Sequence, residues 1–179
     1  MKLLICSDIH GDLDSAKAVI EAYKSHQCDK ILCLGDILYH GPRNDLPSTY
    51  APKEVIALLN QYADVILAVR GNCDTEVDQM VLNFPILADY AILHLGDRTI
   101  YATHGHKFNT ETPPPLVKGD ILLHGHTHIL GVTPFGNENH YMNPGSIALP
   151  KNGNPRSYIV FDGCTFRCYD LCGNELFTF

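Results

Sequence analysis

Short apolar runs recur along the first part of the chain, and each is closed by a polar residue. "KLLIC" (2–6), "KILCL" (30–34) and "DVILAV" (64–69) read as strands buried on both faces, the pattern of a parallel sheet. Helical periods separate them. In "DLDSAKAVIEAYKSHQ" the residues Ala16, Val19, Ile20 and Tyr23 share one face, and Asp12, Asp14 and Ser15 supply caps that suit the helix dipole. In "APKEVIALLNQYA" the shared face is Val55, Leu58, Leu59 and Tyr62, with Pro52 near the start, where a helix tolerates it. Two β-α-β units predict a parallel sheet with right-handed crossovers.

From residue 90 onward the period changes. "YAILHL", "TIYATH", "DILLHG", "LGVTPF", "NHYMN", "SYIVFDG" and "TFRCYDL" read as strands, with turns at Gly96-Asp97, Gly136-Asn137 and Asp162-Gly163. "TETPPPLVKGD" is a loop, because three successive prolines continue neither a helix nor a central strand. With no linker, repeat or low-complexity tract, residues 1–179 read as a single mixed α/β domain, two sheets packed face to face with helices outside.

Composition narrows the partners. Apolar residues make up 45% of the 179, enough for a core, and the formal net charge is -7. An acidic chain predicts no stable nucleic-acid binding and no attachment to an anionic membrane, yet it accommodates a phosphate ester held through metal ions. Asp8 cuts the apolar start too early for a signal peptide, and no run is long enough to span a bilayer. The seven cysteines, an odd number in no repeating framework, read as reduced thiols of a cytoplasmic protein. Cys164, Cys168 and Cys172 are spaced by four and read as core or surface thiols rather than a zinc site.

The polar closures carry the chemistry. Asp8 and His10, then Asp36, then Asn72, then His104 and His106, then His124, His126 and His128 stand at the carboxyl ends of five strand candidates, with glycines beside them. Ligands of open α/β sheets bind at those ends. Carboxylates, an amide and imidazoles without thiolate suit manganese, iron, zinc, nickel or cobalt, and there are enough donors for two ions sharing a carboxylate.

The blocks Asp8-Ile9-His10, Gly35-Asp36, Gly71-Asn72-Cys73-Asp74, His104 and Gly125-His126-Thr127-His128 resemble, in order, the signature of the calcineurin-like metallophosphoesterase superfamily. "LGDILYHGPRNDLP", "VRGNCDTEVDQM", "THGH" and "NPGSIALPKNGNP" resemble its short bacterial YfcE-type phosphodiesterases over nearly the whole chain. That resemblance implies a four-layer α/β/β/α sandwich of two mixed sheets flanked by helices, two divalent ions with manganese foremost, and hydrolysis of a small phosphodiester by hydroxide bridging the ions. It implies that Asp8, His10 and His128 hold one ion, that Asn72, His104 and His126 hold the other, and that Asp36 bridges them. Phosphomonoester or nucleotide pyrophosphate hydrolysis on the same scaffold is the alternative within enzymes, and a Vps29-like scaffold protein is the alternative outside them.

Around that core, Asn72 is expected to orient the phosphate as well as ligate. Arg43 reads either as a clamp for the non-bridging oxygens or as a solvated loop residue. His106 reads either as a substrate contact or as a neighbour that supports the ligands. Cys73 stands where many superfamily members carry His. It is expected as a weak donor or space-filler beside the site, since a thiol is a poorer hydrogen-bond donor than imidazolium. Asp74 is expected to orient a neighbouring His or cap the next helix. Asn143 and Ser146 read chiefly as turn residues. A homo-oligomer, dimer or tetramer, fits the exposed strands of the second half.

Overall fold

In chain order the elements are β1 (Leu3–Cys6), α1 (Leu13–Ser25), β2 (Lys30–Cys33), α2 (Pro52–Leu59), β3 (Ile66–Ala68), α3 (Glu76–Gln79), β4 (Tyr90–Leu95), β5 (Arg98–Thr103), β6 (Ile121–Leu123), β7 (Gly131–Phe135), β8 (Asn139–Asn143), β9 (Ser157–Phe161), β10 (Phe166–Asp170) and β11 (Glu175–Thr178). This computed structural model describes residues 1–95 and 98–179, so the turn expected at Gly96-Asp97 lies outside the described residues. One sheet has the order β11-β10-β9-β1-β2-β3 and the other β4-β5-β6-β8-β7. In the first, β1, β2 and β3 are parallel and β9 runs antiparallel to β1. In the second, β6 is parallel to both β5 and β8, while β4 and β7 close the edges antiparallel. Both sheets are therefore mixed, as expected, and the helices α1 and α2 lie against the outer face of the first.

Alternation along the central strands feeds two cores. Leu4, Cys6, Ile31, Cys33, Ile66 and Val160 point outward from the first sheet and meet Ala16, Val19 and Ile20 of α1 and Val55 and Leu59 of α2. Leu3, Ile5, Leu32, Ile159 and Phe161 point the other way, against Ile100, Ala102, Ile121, Leu123 and Met142 of the second sheet. Because both faces of β1 and β2 are covered, their sequences read as continuous apolar runs. Each fully buried aliphatic side chain contributes about 1.5–3 kcal/mol.

The helices follow their local signals. Asp12 is the N-cap of α1 and accepts from the Ser15 amide at 3.0 Å, and Pro52 opens α2. The second helical period stops sooner than expected, since Asn60–Tyr62 tightens into a 3-10 turn. The proline loop crosses the outer face of the second sheet, where Tyr101 donates to the Pro115 carbonyl and Tyr90 packs edge-on to Phe108. Among the described residues the cysteines are free: Cys168 is buried in the core while Cys164 and Cys172 are exposed, so these three do not form a cluster. No described helix is long and apolar enough to cross a membrane.

Candidate metal centre

At the carboxyl ends of β1 and β2 the chain makes two sharp turns that zip together. The amides of Asp8, His10 and Gly11 donate to the carbonyls of Gly35, Asp36 and Ile37 at 3.1, 2.9 and 2.8 Å. Asp8, His10 and Asp36 adopt positive φ there (58°, 51° and 55°), as do His126 and His128 after β6 (64° and 60°). Among the described residues, five of the eight non-glycine residues in this left-handed region are thus expected ligands. Each such residue costs roughly 1–3 kcal/mol of backbone strain, and strain of this kind collects at functional sites.

Main-chain groups fix how these side chains point. His10, His104 and His128 place Nδ1 at 2.8, 2.6 and 2.6 Å from the carbonyls of Tyr39, Leu34 and Leu149. A carbonyl only accepts, so Nδ1 carries the proton in each ring and the Nε2 lone pair faces inward. The carboxylates are held in the same fashion. Asp8 Oδ2 accepts from the His126 amide at 3.1 Å and Asp36 Oδ1 from the Cys73 amide at 2.8 Å. Their other oxygens turn to the imidazoles: Asp8 Oδ1 lies 3.2 Å from His128 Nε2, and Asp36 Oδ2 lies 3.4 Å from His104 Nε2.

Acceptors therefore face acceptors. His10 Nε2 and His128 Nε2 are 3.2 Å apart, and Asn72 Oδ1 is 3.1 Å from His104 Nε2, towards which His126 turns its Nδ1 at 3.2 Å. Asp8 Oδ1 is buried with no hydrogen-bond partner. Such a set repels itself unless positive charge sits within it. Burial works to raise the Asp8 pKa, yet His10 and His128 hold it well below the usual carboxylate range. Burial likewise works to lower His104, yet its bond to Asp36 and the charges of Asp8 and Asp36 carry it up to about 9. Surroundings that attract a proton so strongly attract a metal ion equally. Ligand atoms of Asp8, His10 and His128 lie within 4.8 Å of one another, as do those of Asp8, Asp36 and His104 and those of His10, Asp36 and Cys73. The residues present fit divalent ions with oxygen and nitrogen ligands.

Cys73 is the one thiol in these groups. Burial, followed by the charge of Asp36, pushes it up to about 12, which keeps the free thiol protonated at pH 7. Asn72 Nδ2 is 3.2 Å from its sulfur. The carboxylate after it does something other than expected: Asp74 orients no His and caps no helix. It accepts from the amides of Gly71 (2.8 Å), Asp36 (2.8 Å) and Ile37 (2.9 Å), tying the end of β3 to the end of β2, while Thr75 caps α3.

Above these side chains opens a cleft of about 340 Å³. Asp36, Asn72, Cys73, His126 and His128 form its floor, and Arg43 and Lys151 stand among its lining residues. Arg43 is thus brought to the cleft. His106 does not line it; its ring lies 5.4 Å from that of His104, edge-on. Burial and the neighbouring His104 and His126 push His106 down to about 4, so it is neutral at pH 7. His124 stacks on Tyr141 at 4.3 Å, behind the ligands. Asn143 keeps its turn, accepting from the Gly145 amide, and also donates to the Gly125 carbonyl. Ser146 donates to the Asp8 carbonyl at 2.9 Å. Both brace from below the turns that carry Asp8 and His126. Lys151 stands outside the residues expected at the site from the sequence.

Comparison with known proteins agrees with this geometry. Residues 1–165 match the family described as the calcineurin-like phosphoesterase superfamily domain. The chain is 47% identical over 162 residues to "Phosphodiesterase YfcE" of Escherichia coli K12, covering 90% of this chain and 88% of that one. The solved structure of the E. coli YfcE phosphoesterase superposes with a TM-score of 0.96 at 42% identity, covering 100% of this chain and 98% of that one. Vps29 of Chaetomium thermophilum shares the fold, with a TM-score of 0.63 at 18% identity over 100% of this chain and 95% of that one.

Proposed function

The chain belongs to the calcineurin-like phosphoesterase superfamily, and on that premise we propose that it is a phosphodiesterase that works with two divalent metal ions, manganese foremost. The observation that carries this reading is the inward-facing acceptor set. Three imidazoles locked by carbonyls and two carboxylates locked by amides point at common centres that call for positive charge. Asp8, His10 and His128 would hold one ion, Asn72, His104 and His126 the other, and Asp36 would serve both. Bound there, the ions supply Lewis acidity and lower the pKa of water, the nucleophile for phosphorus.

The chain's own residues do the rest. The carbonyls of Tyr39, Leu34 and Leu149 hold the Nδ1 protons of His10, His104 and His128, so those rings stay aligned. Asn72 lies at both the ligand cluster and the cleft, where its amide can orient the phosphate. Arg43 offers a planar fork to the non-bridging oxygens and steadies the charge that grows on them. Cys73, a neutral thiol on the cleft floor, offers a weak donor near the leaving group. His106 packs against His104 and supports its orientation.

The test compares bis(p-nitrophenyl) phosphate with p-nitrophenyl phosphate in the presence of manganese. Faster turnover of the diester is expected, and faster monoester turnover overturns the reading. Absence of turnover on both, unchanged by Asp36→Asn, would favour a scaffolding role.

A further inference from the structure

Two of the three segments whose carbonyls align the site histidines also deliver a cation to the cleft. Tyr39, whose carbonyl holds His10, leads into the turn that places Arg43 on one wall, and Asn44 secures that turn by donating to the His40 carbonyl at 2.7 Å. Leu149, whose carbonyl holds His128, leads to Lys151. The Lys151 amide donates to the His128 carbonyl at 3.0 Å, and its own carbonyl accepts from the Asn154 amide at 3.1 Å and Nδ2 at 2.7 Å. The main chain of Lys151 is therefore fixed to a ligand residue at the cleft mouth. Among the described residues, ion pairs engage Lys17, Arg70, Lys107, Lys118, Arg156 and Arg167 but neither Arg43 nor Lys151.

Charge and size both ask for more than a bare diester. Two divalent ions over Asp8 and Asp36 leave enough positive charge for the single negative charge of a phosphodiester, and Arg43 adds a guanidinium suited to its oxygens. Lys151 is surplus to that need. The cleft, at about 340 Å³, has room for an arm of the ester beyond the phosphate. Resting on the phosphodiesterase reading, we propose that Lys151 is a specificity-determining residue that binds a second phosphate, carried on one arm of the substrate, so that the cleft selects diesters with a phosphorylated arm over those with neutral arms.

The test uses a matched pair, the 5'-p-nitrophenyl ester of thymidine 5'-phosphate with and without a 3'-phosphate, on the manganese-loaded protein. The 3'-phosphorylated ester is expected to be preferred about 10-fold in kcat/KM, mostly through KM, as befits one charge-assisted contact. Lys151→Ala should bring the ratio close to one, Lys151→Arg should keep much of it, and added salt should shrink it. A wild-type ratio near one, a ratio unaltered by Lys151→Ala, or an equal loss on both esters (a contact to the scissile phosphate instead) overturns the inference. Calorimetric titration with thymidine 3',5'-bisphosphate and thymidine 5'-phosphate gives a readout independent of turnover. Tighter bisphosphate binding that Lys151→Ala abolishes upholds the site even if neither ester is hydrolysed, in which case only the phosphodiesterase reading fails. Equal affinity for the two nucleotides overturns the site.

Discussion

Adding one methyl group at Gly71 tests how closely Asp36, the carboxylate proposed to serve both ions, is held. A Cβ there would lie 2.1 Å from Asp36 Oδ1, 2.3 Å from the Asp36 nitrogen and 2.9 Å from Asp36 Cγ. Ordinary contact begins at 3.4 Å, so the carboxylate oxygen must retreat by about 1.3 Å, the difference between 3.4 and 2.1 Å. It cannot do so freely, because that oxygen accepts from the Cys73 amide at 2.8 Å. Overpacking of this kind costs about 1–3 kcal/mol, and an amide left unpaired adds a similar amount. For a chain of this size each kcal/mol lowers Tm by roughly 2–4 °C. A misplacement of about 1 Å at the reacting centre costs around 10²-fold in rate. Gly71→Ala should therefore lose metal, measured by elemental analysis, and lose about two orders of magnitude in kcat/KM on bis(p-nitrophenyl) phosphate. Gly131→Ala is the control, since a Cβ on that strand residue meets nothing within 4 Å. Wild-type metal content with kcat/KM within about 3-fold of wild type in Gly71→Ala would show that Asp36 is not held this closely.

Asp74→Asn should destabilise the protein by about 1–3 kcal/mol in urea denaturation, because an amide cannot accept all three main-chain N–H bonds that the carboxylate accepts. Cys73→Ala should retain its metal and much of its diester hydrolysis; loss of metal in that variant would make Cys73 a ligand. Iodoacetamide at pH 8 should label the exposed Cys164 and Cys172 and spare Cys73, whose thiol is buried and pushed up to about 12. Rapid labelling at Cys73, mapped by mass spectrometry, would contradict that assignment.

The elements that carried a clear period were legible in the sequence, and so were the polar residues at their ends that the fold brings together. β1 and β2 are apolar on both faces because both faces are covered, and the polar residue that stops each run is the one that reaches the site. What escaped was short or main-chain in nature. α3 spans four residues held by the Thr75–Asp78 capping box, with no apolar face to announce it. β11 is an edge strand of four mostly exposed residues, too short for alternation to stand out. The same limit applies at the centre. His10, His104 and His128 could be recognised as donors, but the carbonyls that set their tautomers belong to Tyr39, Leu34 and Leu149, whose side chains give no hint of that role. Asp74 acts through amides brought together only by the fold, and Lys151 reaches the cleft only because its turn is pinned to His128.

These acceptors are proposed to be gathered to hold a pair of ions. Elemental analysis of the manganese-loaded protein beside Asp36→Asn measures it directly. Close to two divalent ions per chain are expected, with a marked loss on replacing Asp36. Protein that binds no divalent ion, or an Asp36→Asn variant with undiminished metal content, would contradict it.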